Sequence, residues 1–153
     1  MDLKEQYDKL LRYCYAKTKD RFASEDIVQE TFLRFWQSRS YKETGKELAY
    51  LYTIARNLCI DEFRKPQHVN IEICADAISE YSEIDDHLMR AELNSALDHL
   101  PEEQREIIIL RFANELAVSD IAEIMKISRF SVRRRIKSGL DALKDMMEGD
   151  DEL

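Results

Sequence analysis

The chain has 153 residues, 44% of them hydrophobic, with only three glycines, two prolines and no sustained alternating pattern, which predicts an all-α protein of one domain or two small ones. No apolar run approaches the length of a membrane span, and Met1-Asp2-Leu3-Lys4-Glu5 lacks the apolar core of a signal peptide, so a cytoplasmic protein with no membrane contact is expected. A formal charge of −8 argues against nucleic-acid binding unless the charge is unevenly spread.

Leu3, Tyr7, Leu10, Leu11, Cys14 and Tyr15 recur at helical spacing and predict an opening amphipathic helix. A second helix is expected to start at Ser24, whose hydroxyl suits an N-cap, with Glu25 and Asp26 at the positive end of the macrodipole. Ile27, Val28, Phe32, Phe35 and Trp36 would form its apolar face, leaving Asp26, Gln29, Glu30 and Arg34 on or near the other. Gln37 to Lys46, with Ser, Thr and Gly, reads as a loop. A third helix from about Glu47 to Lys65 would bury Leu48, Leu51, Ile54, Ala55 and Leu58, and Pro66 stops it.

Charge then divides the chain. Residues 1–67 carry 13 Lys or Arg against 11 Asp or Glu, residues 68–98 carry 1 against 8, residues 99–147 carry 9 against 8, and the last six carry four acids and no base. The excess negative charge therefore lies in the middle and in the tail, while Lys126 to Lys137 holds six bases and no acid. The middle part, about Pro66 to Asp86, has no long periodic run and reads as an acidic linker with room for one short helical turn. Beyond it, Leu100-Pro101-Glu102-Glu103 opens a helix in which Pro suits the first position, and Ile107, Ile108, Ile109, Leu110 and Phe112 are expected to be buried. A short helix around Ser119 to Met125, a brief turn, and a helix from Ser128, a good N-cap, to about Met147 complete the chain.

Two helices joined by so short a turn, the second with a basic exposed face, are what a helix-turn-helix needs to enter the major groove. Val132, Ile136, Leu140 and Leu143 fix the inward side of the second helix, so Arg133, Arg134 and Lys137 project outward, where arginine can read guanine and lysine can bind phosphate. The alternative is a merely solvated face, which would normally mix both signs of charge.

Leu100 to Glu106, Leu110-Arg111-Phe112, Asp120 to Met125 and Ser131-Val132-Arg133 together resemble the C-terminal promoter-binding domain of bacterial RNA polymerase sigma factors. Asp26 to Trp36 and Leu51 to Asp61 resemble the other conserved sigma domain, and two domains with a short linker resemble the extracytoplasmic-function (ECF) group. The resemblance implies a polymerase-binding and −10-binding domain over 1–66, a linker over 67–90, a helix-turn-helix, −35-binding domain over 91–147 and an acidic tail over 148–153.

It implies further that Asp26, Gln29, Glu30 and Arg34 contact core RNA polymerase, mainly the β′ clamp helices. At the promoter −10 element, Asn57 would meet a base edge, with Asp61 on the same matched helix and Arg64 and Lys65 near phosphates. The loop Arg39 to Lys46 would surround a flipped base, with Tyr41 placed to stack and Tyr50 and Tyr52 as suited to the core. At the −35 element the resemblance places Arg133, Arg134, Lys137 and Ser138 toward DNA, and the backbone amides of Phe130 and Ser131 toward phosphate. The chain departs from its relatives at Lys126, where many have glycine, and at Phe130, where many have glycine or an acid. Phe130 would touch thymine methyls or cover the hydrophobic edge of the motif. The acidic linker would imitate nucleic acid inside the polymerase or serve as a soluble tether. An anti-sigma protein covering both binding faces is a further implied partner.

Two other readings compete. A stand-alone helix-turn-helix regulator explains residues 100–147 but leaves the Asp26 to Asp61 resemblance without a purpose. A thiol enzyme would use Cys14 or Cys59, yet both lie on expected apolar faces without an obvious His partner, so no catalysis is expected. Three widely spaced cysteines, Cys14, Cys59 and Cys74, fit reduced thiols better than disulfides. Cys74 and His87 are thirteen residues apart and make a poor ligand pair, so no metal or cofactor is expected.

Overall fold

The computed structural model describes residues 2–38, 45–63 and 87–151, and every regular element among them is helical. The chain divides into two compact units. The first holds α1 (Leu3–Thr18), α2 (Arg21–Gln37) and α3 (Glu47–Phe63), each packed on the other two. The second holds α4 (His87–Asp98), α5 (Glu102–Ile108), a π-helical segment (Ile109–Ala113), α6 (Val118–Met125) and α7 (Arg129–Asp151). Tyr41, Arg64, Lys65, Cys74 and the acidic stretch 67–86 lie outside the described residues.

Helix α1 starts where Asp2 accepts hydrogen bonds from the amides of Lys4 (3.1 Å) and Glu5 (3.3 Å), and it ends at Lys19 in the left-handed region, φ 55°. The expected start of α2 at Ser24 is wrong by three residues. Asp20 takes the cap instead, its Oδ1 accepting from the amide of Ala23, while Ser24 is fully buried inside the helix. Ser24 Oγ donates to the Asp20 carbonyl at 2.7 Å and lies 2.8 Å from Thr18 Oγ1, so its hydroxyl joins α1 to α2 instead of opening a helix. Leu10, Leu11, Tyr13 and Cys14 of α1 meet Ile27, Val28, Phe32 and Phe35 of α2 and Ala49, Leu51, Tyr52, Ala55 and Cys59 of α3 in the core. The expected inner face of α3 is rotated: Leu48, Ile54 and Leu58 are only half-buried, because Tyr52 points inward and packs edge-on against Tyr13, ring centres 5.6 Å apart. Tyr50 lies at the margin, 6.1 Å from the Phe35 ring.

In the second unit, α7 is the spine on which α4, α5 and α6 pack. Ala96, Leu100, Ile108 and Leu143 form a buried cluster, extended by Leu97, Ile136, Ala142 and Met146. Each aliphatic side chain fully buried there contributes about 1.5–3 kcal/mol. Helix α4 was not legible in the sequence, and it begins at His87, inside the stretch read as linker. Pro101 occupies the N-cap of α5 rather than its first helical position. The π-helical segment is also new: Asn114 N–H bonds the Ile109 carbonyl at 3.0 Å, and the widened turn carries Phe112 away from the core, leaving it 52% exposed. Phe112 was expected to be buried, as was Leu140, which is 42% exposed. Helix α7 continues to Asp151, so Glu148, Asp150 and Asp151 belong to its last turns and not to a separate tail.

Gly139 lets α7 approach α5. A Cβ built there would meet Ile108 Cδ1 and Cγ1 at 3.0 Å and Gln104 Cγ at 3.2 Å. Gly139→Val is therefore expected to cost about 2 kcal/mol through overpacking, outweighing its better helix propensity, and to lower the melting temperature followed by circular dichroism.

Cys14 and Cys59 are both free and have no exposed surface. A hydrogen bond with Cys59 and burial together push the Cys14 thiol far above its ordinary range. Both sulfurs are shut away from solvent and the Cys14 thiol is held protonated, so neither position offers the accessible thiolate that a nucleophile requires. Iodoacetamide followed by peptide mass mapping should leave both unmodified in the native protein and label both in denaturant.

Candidate protein-binding and DNA-binding faces

Because Ile27, Val28, Thr31, Phe32 and Phe35 hold the inner side of α2, its outer side is fixed. Asp26, Gln29 and Arg34 are exposed and Glu30 is half-exposed, so the four expected polymerase-facing residues do share the surface of one helix. Arg34 Nε lies 2.8 Å from Glu30 Oε1, an i,i+4 ion pair at the edge of this face.

The same surface has an apolar part that the sequence pattern alone does not separate from the inner face. Phe22, Leu33 and Trp36 are 62%, 52% and 55% exposed. Trp36, expected on the inner face, instead stands half in solvent with its ring tilted against Phe32, ring centres 5.5 Å apart. Positions 22, 26, 29, 33 and 36 are separated by four, three, four and three residues and therefore form one stripe along α2. That spacing is visible in the sequence, but a second apolar stripe beside the inner one merges with it unless the burial of Phe32 and Phe35 is known. An apolar stripe carrying Asp26 and Gln29 is suited to another protein: it offers area to bury and polar groups that fix orientation.

On α3, Asn57 and Asp61 are exposed and one turn apart, opposite the buried Ala55 and Cys59. They form a short polar patch with Thr53, whose hydroxyl is spent on the Ala49 carbonyl at 2.6 Å. The other two expected −10 contacts, Arg64 and Lys65, are among the positions not described.

The helix-turn-helix is α6, the turn and α7. Lys126 ends α6 in the left-handed region, φ 58°, with its amide bonded to the Ala122 carbonyl, so lysine here adopts the conformation glycine would provide at less steric cost. Ser128 caps α7 as expected, its Oγ accepting from the Ser131 amide at 3.0 Å. That bond corrects one expectation: the Ser131 amide is occupied by the cap and is not available to a phosphate. Burial pushes the Asp120 carboxyl above its ordinary range, with Glu123 adding to the effect, so the first turn of α6 is easier to neutralise than an open carboxylate.

Val132 is fully buried and Leu143 nearly so, which turns Arg133, Arg134, Lys137 and Ser138 to the surface, where all four are exposed. Phe130 is 72% exposed and Ser131 half-buried. Arg135 is different: its guanidinium pairs with Glu103 on α5, and its carbonyl accepts from Gln104 Nε2 at 3.4 Å. Of the six bases between 126 and 137, five thus remain on the exposed side and the sixth ties α7 to α5.

Each of the two units has a match among known protein families. Residues 3–69 match the family model "Sigma-70 region 2" and residues 96–145 match "Sigma-70, region 4". The chain is 30% identical to the ECF RNA polymerase sigma factor SigW of Bacillus subtilis, covering 92% of this chain and 83% of SigW. It is 28% identical to SigX of the same organism, covering 91% and 78% respectively. Among solved structures, it is similar in fold to the sigma factor RpoE of Bartonella quintana in complex with the anti-sigma factor NepR, with a TM-score of 0.67 at 23% identity over 96% of this chain and 97% of RpoE. It is similar also to CnrH in complex with the cytosolic domain of CnrY, with a TM-score of 0.63 at 20% identity over 94% of this chain and 82% of CnrH. With two matched regions in this order and a curated relative at this identity over nearly its whole length, the chain belongs to the ECF group of RNA polymerase sigma factors.

Proposed function

We propose that this protein binds core RNA polymerase through the outer stripe of α2 and brings the enzyme to promoters whose −35 element is read by α7 and whose −10 element is opened and read beside α3. The observation that carries this reading is the presence on one chain of two chemically different exposed faces, each held by a buried stripe on the same helix. Phe22, Asp26, Gln29, Leu33 and Trp36 suit a protein surface; Arg133, Arg134 and Lys137, without an acid among them, suit a polyanion. A stand-alone regulator leaves the match of residues 3–69 to Sigma-70 region 2 without a purpose.

On this reading Asn57 and Asp61 contribute to the −10 contact, continued by Arg64 and Lys65. The −35 contact is made by Phe130, Arg133, Arg134, Lys137 and Ser138, with Ser131 supporting the helix entrance. The stretch 67–86 serves as the linker between the domain 1–66 and a second domain that opens with α4 at His87. No helix among the described residues is long and apolar enough to cross a membrane, which agrees with a place of action in the cytoplasm beside the polymerase. The role requires no chemistry from the chain itself, because the polymerase makes the RNA. One similar structure holds an anti-sigma factor, and the exposed Phe22, Leu33 and Trp36 offer a comparable partner a surface that would compete with polymerase.

Run-off transcription with purified bacterial core enzyme and a promoter library tests the whole proposal: specific transcripts should require the chain, and their absence at every promoter would remove it. Leu33→Asp should weaken association with core enzyme at least tenfold, measured by fluorescence anisotropy, while leaving the helical circular dichroism unchanged, because Leu33 is half in solvent already. Arg134→Ala should weaken promoter binding by the holoenzyme about tenfold and lower the slope of log K against log salt by about one if the guanidinium meets phosphate. Weakened binding with an unaltered slope would place it on a base edge instead.

A further inference from the structure

Phe130 is the most exposed of the large hydrophobic side chains described, at 72%, although it sits at the start of a helix whose inner stripe is well packed. So open a ring covers little of the hydrophobic edge of the motif, where Val132 and the α6 residues Ile121, Ile124 and Met125 are buried. Its place in the helix supplies the second observation. Phe130 precedes Arg133, Arg134 and Lys137 by three, four and seven residues, so the phenyl ring belongs to the same outward stripe as the three cations. Arg129, also exposed, stands beside it.

An exposed aromatic ring among four cations and no acid is poorly suited to an apolar protein partner, because docking one would desolvate the cations. It is well suited to a nucleic-acid duplex, since phosphates satisfy the cations on either side of the groove. Within the major groove, the apolar group that base pairs present is the C5-methyl of thymine. We infer that Phe130 packs against a thymine methyl in the −35 element and so makes this sigma factor prefer T·A at one position. The inference rests on the reading of α7 as the promoter-facing helix and adds to it a base identity and the group recognised.

The test uses the holoenzyme and the −35 element it selects from a randomised library. Each thymine of that element, on either strand, is replaced singly by deoxyuridine, which removes only the methyl group and keeps Watson–Crick pairing. Wild-type holoenzyme should lose about fourfold in affinity at one of these positions, the amount expected for one buried methyl group. Phe130→Ala should bind the thymine and uracil promoters equally, and Phe130→Leu should restore part of the discrimination.

Four results would overturn the inference. These are a selected element without thymine, indifference of the wild type to every replacement, uracil sensitivity that persists in Phe130→Ala, and unchanged promoter binding by Phe130→Ala, which would assign the ring to a protein partner. The underlying reading fails separately, and the inference with it, if scrambling the −35 element and Arg134→Ala both leave binding unchanged.

Discussion

A helix can present a rigid outer face only while its inner face is held, and in the second unit that hold depends on how closely α7 can lie against α5 at Gly139. With no Cβ in the way, Ile108 packs directly on the α7 backbone. The close approach sets Arg135 beside Glu103 and brings the Arg135 carbonyl within reach of Gln104. One base of the cluster is thereby drawn inward, and the rotation of α7 is fixed for all the others. Ser128 secures the entrance of the same helix by occupying the Ser131 amide. The exposed row of Phe130, Arg133, Arg134 and Lys137 is the consequence of these four contacts together with the burial of Val132.

The first unit solves the same problem with aromatic packing. Tyr13 against Tyr52 and Phe35 against Tyr50 join α3 to its neighbours, and Ser24 bridges α1 and α2 through its hydroxyl. Helix α2 then has two apolar sides, one buried and one open; Asp26 and Gln29 lie within the open one, and the Glu30–Arg34 pair borders it. A second apolar side left in water raises the free energy of the isolated protein and is stabilised when a partner covers it. The two units therefore differ in what their free faces lack: apolar cover for α2, counter-charge for α7. The net charge of −8, with its excess acids in residues 68–98 and at the end of α7, opposes indiscriminate adhesion to DNA and leaves attraction confined to the basic start of α7.

Sequence alone determined the helical class, the separation into two domains by charge, the cap at Ser128, the outward direction of Arg133, Arg134 and Lys137, and the family. All of these follow from local periodicity, from the capping chemistry of single residues or from motifs that one stretch carries complete. Tertiary structure decided what the local pattern leaves open. Ser24 became a buried bridge because Asp20 and Thr18 were beside it, Trp36 stayed in solvent because Phe32 and Phe35 already filled the inner side, and Phe112 left the core because a π turn widened the backbone beneath it. Arg135 was separated from its fellow cations by Glu103, thirty-two residues earlier in the chain. Periodicity reports which residues share a side of a helix, but only packing decides which of two apolar sides is covered and which of several like charges finds a counter-ion.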